Sequence, residues 1–191
     1  MLKALSTHLR QLSIGPVTVA ALIIFILFTA LVLPAQSAKA DDVSGEVATP
    51  DLSLFYSPDE LYQMAEAYGS DGRAAYIHAR WTFDVAWPLV YTFFLVTAIS
   101  WLFGRGFDPA SRWQLANLAP VLAALLDFLE NASTSLVMAR YPLSTPLAAI
   151  PAPFFTFFKW VLVGFSFLLL LVGVAAVAWG WIKGKPARAK A

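Results

Sequence analysis

The chain has 191 residues, 59% of them hydrophobic and only 13% charged, with a net charge of +1 and a mean hydropathy of +0.68. A soluble domain carries roughly 25% charged residues, so this composition names the lipid bilayer as solvent and partner and leaves nucleic acid unsupported. With no cysteine and only two histidines, His8 and His78, thiolate chemistry and multi-histidine metal or haem sites are excluded, and neither a metal nor a cofactor is expected.

Residues 1–15 read as a cytoplasmic N-terminus carrying Lys3 and Arg10. A first span follows over 16–35, with the core VTVAALIIFILFTALVL. Ala38-Lys39-Ala40 before Asp41 resembles a signal-peptidase site, so this span is either an uncleaved signal anchor, the favoured reading, or a cleaved signal peptide.

Residues 36–78 form the extracytoplasmic segment. Its first part, to about residue 56, is small, acidic and turn-rich, as a linker is. Ser57-Pro58-Asp59-Glu60 is a helix start with Ser at the N-cap, Pro in the first turn and Glu closing a capping box. Leu61, Met64, Ala65 and Tyr68 then share one face, which predicts a short amphipathic helix on the membrane surface. Its simpler role is packing over the helix ends; a lid over a site is the sharper one. Gly69–Gly72 ends it. Ser70 is expected to cap the next helix, running from about Arg73 into the second span without a break.

Residues 79–182 hold the second, third and fourth spans, at about 79–103, 113–138 and 154–181. The turn around Arg105 and Arg112 joins the second and third spans. Loop 139–153 carries Pro142, Pro146, Pro151 and Pro153 and is expected to be extended and stiff. The basic tail 183–191 closes the chain. Four spans place the N-terminus, the Arg105–Arg112 turn and the tail on one side with most of the basic charge, which makes that side cytoplasmic. The expected fold is therefore all-α, a transmembrane four-helix bundle with a short amphipathic extracytoplasmic helix.

Polar residues inside the spans are costly and face a bundle interior or a wet cavity. In the second span Arg80, Asp84, Pro88 and Tyr91 follow one face. Pro88 has no N–H, which frees the carbonyl four residues earlier, Asp84's own, and that carbonyl needs a partner. In the third, Asp127, Glu130, Asn131 and Thr134 make one stripe at i, i+3, i+4 and i+7. In the fourth, Lys159 lies about one to two turns in, at a level where it can pair with Glu130 or Asp84. The candidate site, in the outer half of the membrane, is Arg80, Asp84, Tyr91, Asp127, Glu130, Asn131, Thr134 and Lys159. Three acids face two bases there, and Asp127, the deepest, is the acid expected to hold a proton. His78, just outside the span, reads as a surface residue.

The segment YSPDELYQMAEAYGSDGRAAYIHARWTFDVAWPLVY at 56–91, taken with LDFLEN at 126–131, is similar to a recurring type of small bacterial four-helix multi-pass membrane protein. The resemblance implies a fold and a bacterial inner-membrane location; it implies no activity. No soluble-enzyme motif is present. The first functional expectation is a site that binds or moves a small ligand, cation or proton. An intramembrane lipid-modifying enzyme using the same carboxylates is the second. A structural subunit that assembles with itself or a membrane partner, its polar residues serving as interhelical glue, is the third.

Overall fold

The computed structural model describes residues 1–36, 50 and 53–184. Among these residues every regular element is helical. Four stretches are long and apolar enough to cross a membrane: Gly15–Gln36, Gly69–Gly106, Arg112–Arg140 and Pro146–Ile182. The Ala38-Lys39-Ala40 motif, most of the acidic linker and the tail from Lys185 onward lie outside the described residues. The chain divides into two compact units, one built from Met1–Ile26, Val90–Leu122 and residues from 162 onward, the other from Leu27–Leu89 and Ala123–Val161.

The first unit opens with a helix that the reading of 1–15 as a plain terminus missed. Helix α1, Leu2–Leu12, buries Ser6, and Ser13 behind it is buried as well. Its leucines recur at three- and four-residue spacing, but the stretch is too short and polar to register as a span. It is docked by polar bonds. Ser6 Oγ donates to the Gln114 carbonyl at 2.8 Å, while Asn117 Nδ2 donates to the Ser6 carbonyl at 3.1 Å and to Ser100 Oγ at 2.9 Å. Gln114 and Asn117 belong to a 3₁₀ helix, Arg112–Leu118, whose entry is capped by Ser111.

Helix α2, Gly15–Leu27, continues through a π-helical turn at Phe28–Val32. In the first unit its Phe25 stacks on Phe94 at 4.8 Å. Two glycines let backbones approach closely here. A Cβ on Gly173 would lie 2.9 Å from the Leu102 Cβ, and one on Gly106 would lie 2.9 Å from the Ala176 Cβ. Such contacts are what small residues provide in membrane helix packing.

In the second unit, helix α3 is Pro58–Ala67 and has the expected capping box. Ser57 Oγ accepts from the Glu60 N–H, and the Glu60 carboxylate accepts from the Ser57 N–H at 2.6 Å. Those bonds favour the ionised form, so the Glu60 carboxyl is held below its ordinary range. Leu61 and Ala65 are fully buried and pack with Val137, Met138, Ala148, Ala149 and Ala152, the packing role expected for this helix. Two tyrosines fasten the same region: Tyr62 Oη accepts from the Thr145 N–H at 2.6 Å, and Tyr56 Oη accepts from Thr156 Oγ1 at 3.2 Å.

Helix α4 is Gly69–Arg80, entered through Gly69 at φ 62°. Ser70 therefore lies inside the helix and is not its cap; the left-handed glycine makes the corner instead. Nor does α4 run unbroken into the second span. It stops at Arg80, Trp81 leaves helical geometry at φ −100° and ψ 8°, and helix α5 begins at Phe83 and runs to Gly106. Thr82 Oγ1, bonded to the His78 carbonyl at 2.7 Å, satisfies one of the carbonyls left open there.

Helix α6 is Ala119–Arg140, α7 is Pro146–Ala149 and α8 is Ala152–Ile182. The loop 139–153 is thus not extended. Pro146 occupies the first turn of α7, where a missing N–H costs nothing, and α8 begins one residue after Pro151.

Candidate functional site

Seven of the eight candidate residues fall in the second unit, on α4, α5, α6 and α8. Tyr91 belongs to the first unit, where it is buried. The stripe on α6 is inward-facing throughout: Asp127 is 6% exposed, Glu130 and Thr134 0%, and Asn131 1%. Leu125, just before the stripe, and Leu129, within it, are exposed, as the helical period requires.

Lys159 on α8 is the cation that meets this stripe. Its ammonium lies 2.5 Å from Glu130 Oε2 and 3.8 Å from Asp127 Oδ1, with Lys159 itself 4% exposed. Of the two partners open to it in the sequence, Lys159 takes Glu130. Asp84 pairs elsewhere: Arg80 Nη1 is 3.0 Å from Asp84 Oδ2. This pair straddles the Trp81–Thr82 break, and so straps α4 to α5. The Tyr76 ring, 4.5 Å from the Arg80 guanidinium, covers the other side of the cation. Tyr76 was not singled out in the sequence, although it stands one turn before Arg80.

The two ion-paired groups are joined through a neutral residue. Asn131 Nδ2 donates to the Asp84 carbonyl at 3.1 Å. Because that partner is a carbonyl, the amide orientation is fixed, with nitrogen toward Asp84. Asn131 Oδ1 is buried and has no hydrogen-bond partner, and neither has Ser135 Oγ one turn further along α6. Ser135, 6% exposed, is a member of the polar stripe that the i, i+3, i+4, i+7 pattern passed over; its i+4 spacing from Asn131 was the available signal. Thr134, by contrast, is satisfied locally, its hydroxyl donating to the Glu130 carbonyl at 2.9 Å.

Chemically, this is one ammonium held between two carboxylates in a buried setting, with an Arg–Asp pair on α4 and α5. The Coulomb attraction offsets a desolvation cost of several kcal/mol per ion. The Asp127–Lys159–Glu130 triad holds two acids and one base. Among the described residues no group of three or more His, Asp or Glu side chains is arranged to hold a metal ion. His78 is not part of the cluster; its carbonyl serves the helix break through Thr82. No family model matches the chain, and no curated protein and no solved structure matches it either.

Proposed function

We propose that this chain is a multi-pass protein of the bacterial inner membrane, with both termini cytoplasmic, that takes up and releases a proton or small cation at the Asp127–Lys159–Glu130 triad. The observation that carries the reading is the placement of one buried ammonium within ion-pairing distance of two carboxylates on a neighbouring helix. A purely structural pair needs one acid. The second acid gives the group a site for one exchangeable positive charge.

The orientation is supported by how charge divides along the chain. The N-terminal stretch, the turn between the second and third spans and the residue after the fourth carry Lys3, Arg10, Arg105, Arg112 and Lys183 against one acid, Asp108. Helices α3 and α4 carry Asp59, Glu60, Glu66 and Asp71 against Arg73 and Arg80. Positive charge marks the cytoplasmic side. Retention of the first span is supported by the bonds that tie α1 to Gln114 and Asn117, since removing residues before Asp41 would strip those partners away.

A second reading, interhelical packing alone, is favoured by one observation: Asn131 satisfies a backbone carbonyl that would otherwise be orphaned. One experiment separates the two. Infrared difference spectra of the purified protein in lipid nanodiscs, taken as a function of pH, should contain a carboxylic-acid band that titrates reversibly and is missing in Asp127→Asn. If Asp127→Asn is folded and titrates like the wild type, the exchange reading is wrong and the cluster is packing.

A further inference from the structure

The leucines of α1 do not fasten it to the fold. Leu2, Leu5, Leu9 and Leu12 recur at three, four and three residues and so share one face, and Leu2, Leu5 and Leu12 are exposed. Two contacts with α5 set the attitude of the helix. Asn117 Nδ2 bonds both the Ser6 carbonyl, halfway along α1, and Ser100 Oγ on α5. Gly15, where α2 starts, has its Cβ position 3.4 Å from Trp101 Nε1. The middle of α1 and the head of the first span therefore meet consecutive residues of α5. A helix running on from Gly15 in line with the span would carry Ser6 about 13 Å beyond that level, at 1.5 Å per residue. Helix α1 lies instead across the direction of α5. Ser100 stands before the end of α5 at Gly106 by about 9 Å at the same rise, within the depth to which an interfacial helix sinks its apolar face.

We infer that α1 is an in-plane membrane anchor, its leucine face seated in the lipid of one leaflet and its cations on anionic headgroups of that leaflet. The exposed apolar surface does not stop with the helix. It runs on through Ile14 to Val19 and Ile23 of the first span, all exposed, so the lipid that covers the span also covers α1. Charge fits an anionic surface. No acid lies on α1, which carries Lys3 and Arg10, and the 3₁₀ helix that holds it opens with the exposed Arg112 and Trp113, a cation and an interfacial aromatic side by side. Polar docking through Ser6 leaves the leucines available to lipid: the bonds to Gln114 and Asn117 fix position, and the apolar face supplies the grip. This anchor stands apart from the exchange at Asp127 and Glu130.

The test uses the full chain, which has no cysteine of its own, in nanodiscs of phosphatidylcholine with and without phosphatidylglycerol. Spin labels are placed at Leu5→Cys, on the leucine face, and at Gln11→Cys, exposed on the polar side. Both are surface changes that leave the Ser6 bonds in place. The Leu5→Cys label should collide with oxygen and be shielded from a water-soluble nickel chelate, and the Gln11→Cys label should show the reverse. Phosphatidylglycerol should raise the thermal midpoint of the unlabelled protein, and Lys3→Gln with Arg112→Gln, or high salt, should remove most of that gain. A Leu5→Cys label open to the nickel chelate means the face meets water, and dipolar broadening between Leu5→Cys labels means it meets a second copy of the chain. Either result overturns the inference, as does a midpoint that is the same in both lipids.

Discussion

Asn131 Nδ2 donates 3.1 Å to the main-chain carbonyl of Asp84, the acceptor that Pro88 leaves open one turn later. A proline inside a spanning helix creates a polar debt in a medium without water, and here a side chain on a different helix meets it. The bond also ties α5 to α6 beside the ion pairs. It makes a sharp prediction. Asn131→Leu should destabilise the protein by about 1–3 kcal/mol, the cost of an unsatisfied buried carbonyl. Pro88→Ala restores the missing N–H, so in the Pro88→Ala background the Asn131→Leu loss should shrink. Unfolding in detergent, run as a double-mutant cycle, checks this; strictly additive losses would show that the two residues do not share the carbonyl.

Lys159 lies within ion-pairing distance of both Asp127 and Glu130. Removing it takes an ion-pair partner from two acids. Lys159→Ala should cost about 3–5 kcal/mol, the range for breaking a buried ion pair by deleting one partner. Lys159→Ala combined with Glu130→Gln should recover part of that loss, since the amide carries no charge to strand. Denaturant midpoints of the single and double variants give the comparison, and a double variant worse than Lys159→Ala would contradict the pairing.

Helix α8 contains its own control for close packing. Gly173→Val places atoms where Leu102 and the Phe103 ring already stand, within 2.9–3.1 Å of a Cβ. Overpacking of that kind costs about 1–3 kcal/mol. Gly164 on the same helix has nothing within 4 Å of its Cβ position. Gly164→Ala should be neutral or stabilising by up to about 1 kcal/mol through helix propensity. A thermal shift that ranks the two variants the other way would place the α5–α8 contact elsewhere.

The capping box gives a pH dependence whose sign is set by Glu60. Its carboxyl is held below the ordinary value of 4.5 by the Ser57 backbone and side-chain hydrogen bonds, in that order. A lowered folded value means the stabilisation is fully present above the ordinary carboxyl range and disappears as pH falls through the lower, folded value. Carboxyl NMR of Glu60 should therefore titrate below a model glutamate, and the start of α3 should fray in acid. In Ser57→Ala the titration should return toward the ordinary value, with a loss of about 1 kcal/mol from the missing cap. An unshifted Glu60 titration in the wild type would rule the box out in solution.

Because the sequence has no cysteine, single-cysteine labelling reports topology without background. Ser70→Cys, near the start of α4, should react with a membrane-impermeant maleimide in intact cells. Ser111→Cys, in the turn between Arg105 and Arg112, should react only after the inner membrane is opened. The reverse pattern would invert the proposed orientation. An intact mass that includes residues 1–40 would accompany a retained first span, and a mass short by that segment would show cleavage.

Hydropathy and helical period alone were enough to place the four apolar helices, because burying apolar side chains in lipid needs only their number and order along the chain. The stripe of Asp127, Glu130, Asn131 and Thr134 was legible for the same reason: a spacing of three and four is a property of a single helix. So was the need of the Asp84 carbonyl for a partner, since a proline's missing donor is covalent chemistry. What supplied that partner, and which acid Lys159 chose, depended on contacts between helices far apart in sequence, which no local pattern encodes. The same holds for α1, whose hold on the fold lies in Ser6 and Asn117 rather than in its leucines, and for the helix break at Trp81–Thr82, where the backbone turns aside without a proline or glycine to announce it. Local periodicity determines which side chains share a face; only the packed chain decides what each face meets, because that choice is made by geometry and desolvation across the interfaces between helices.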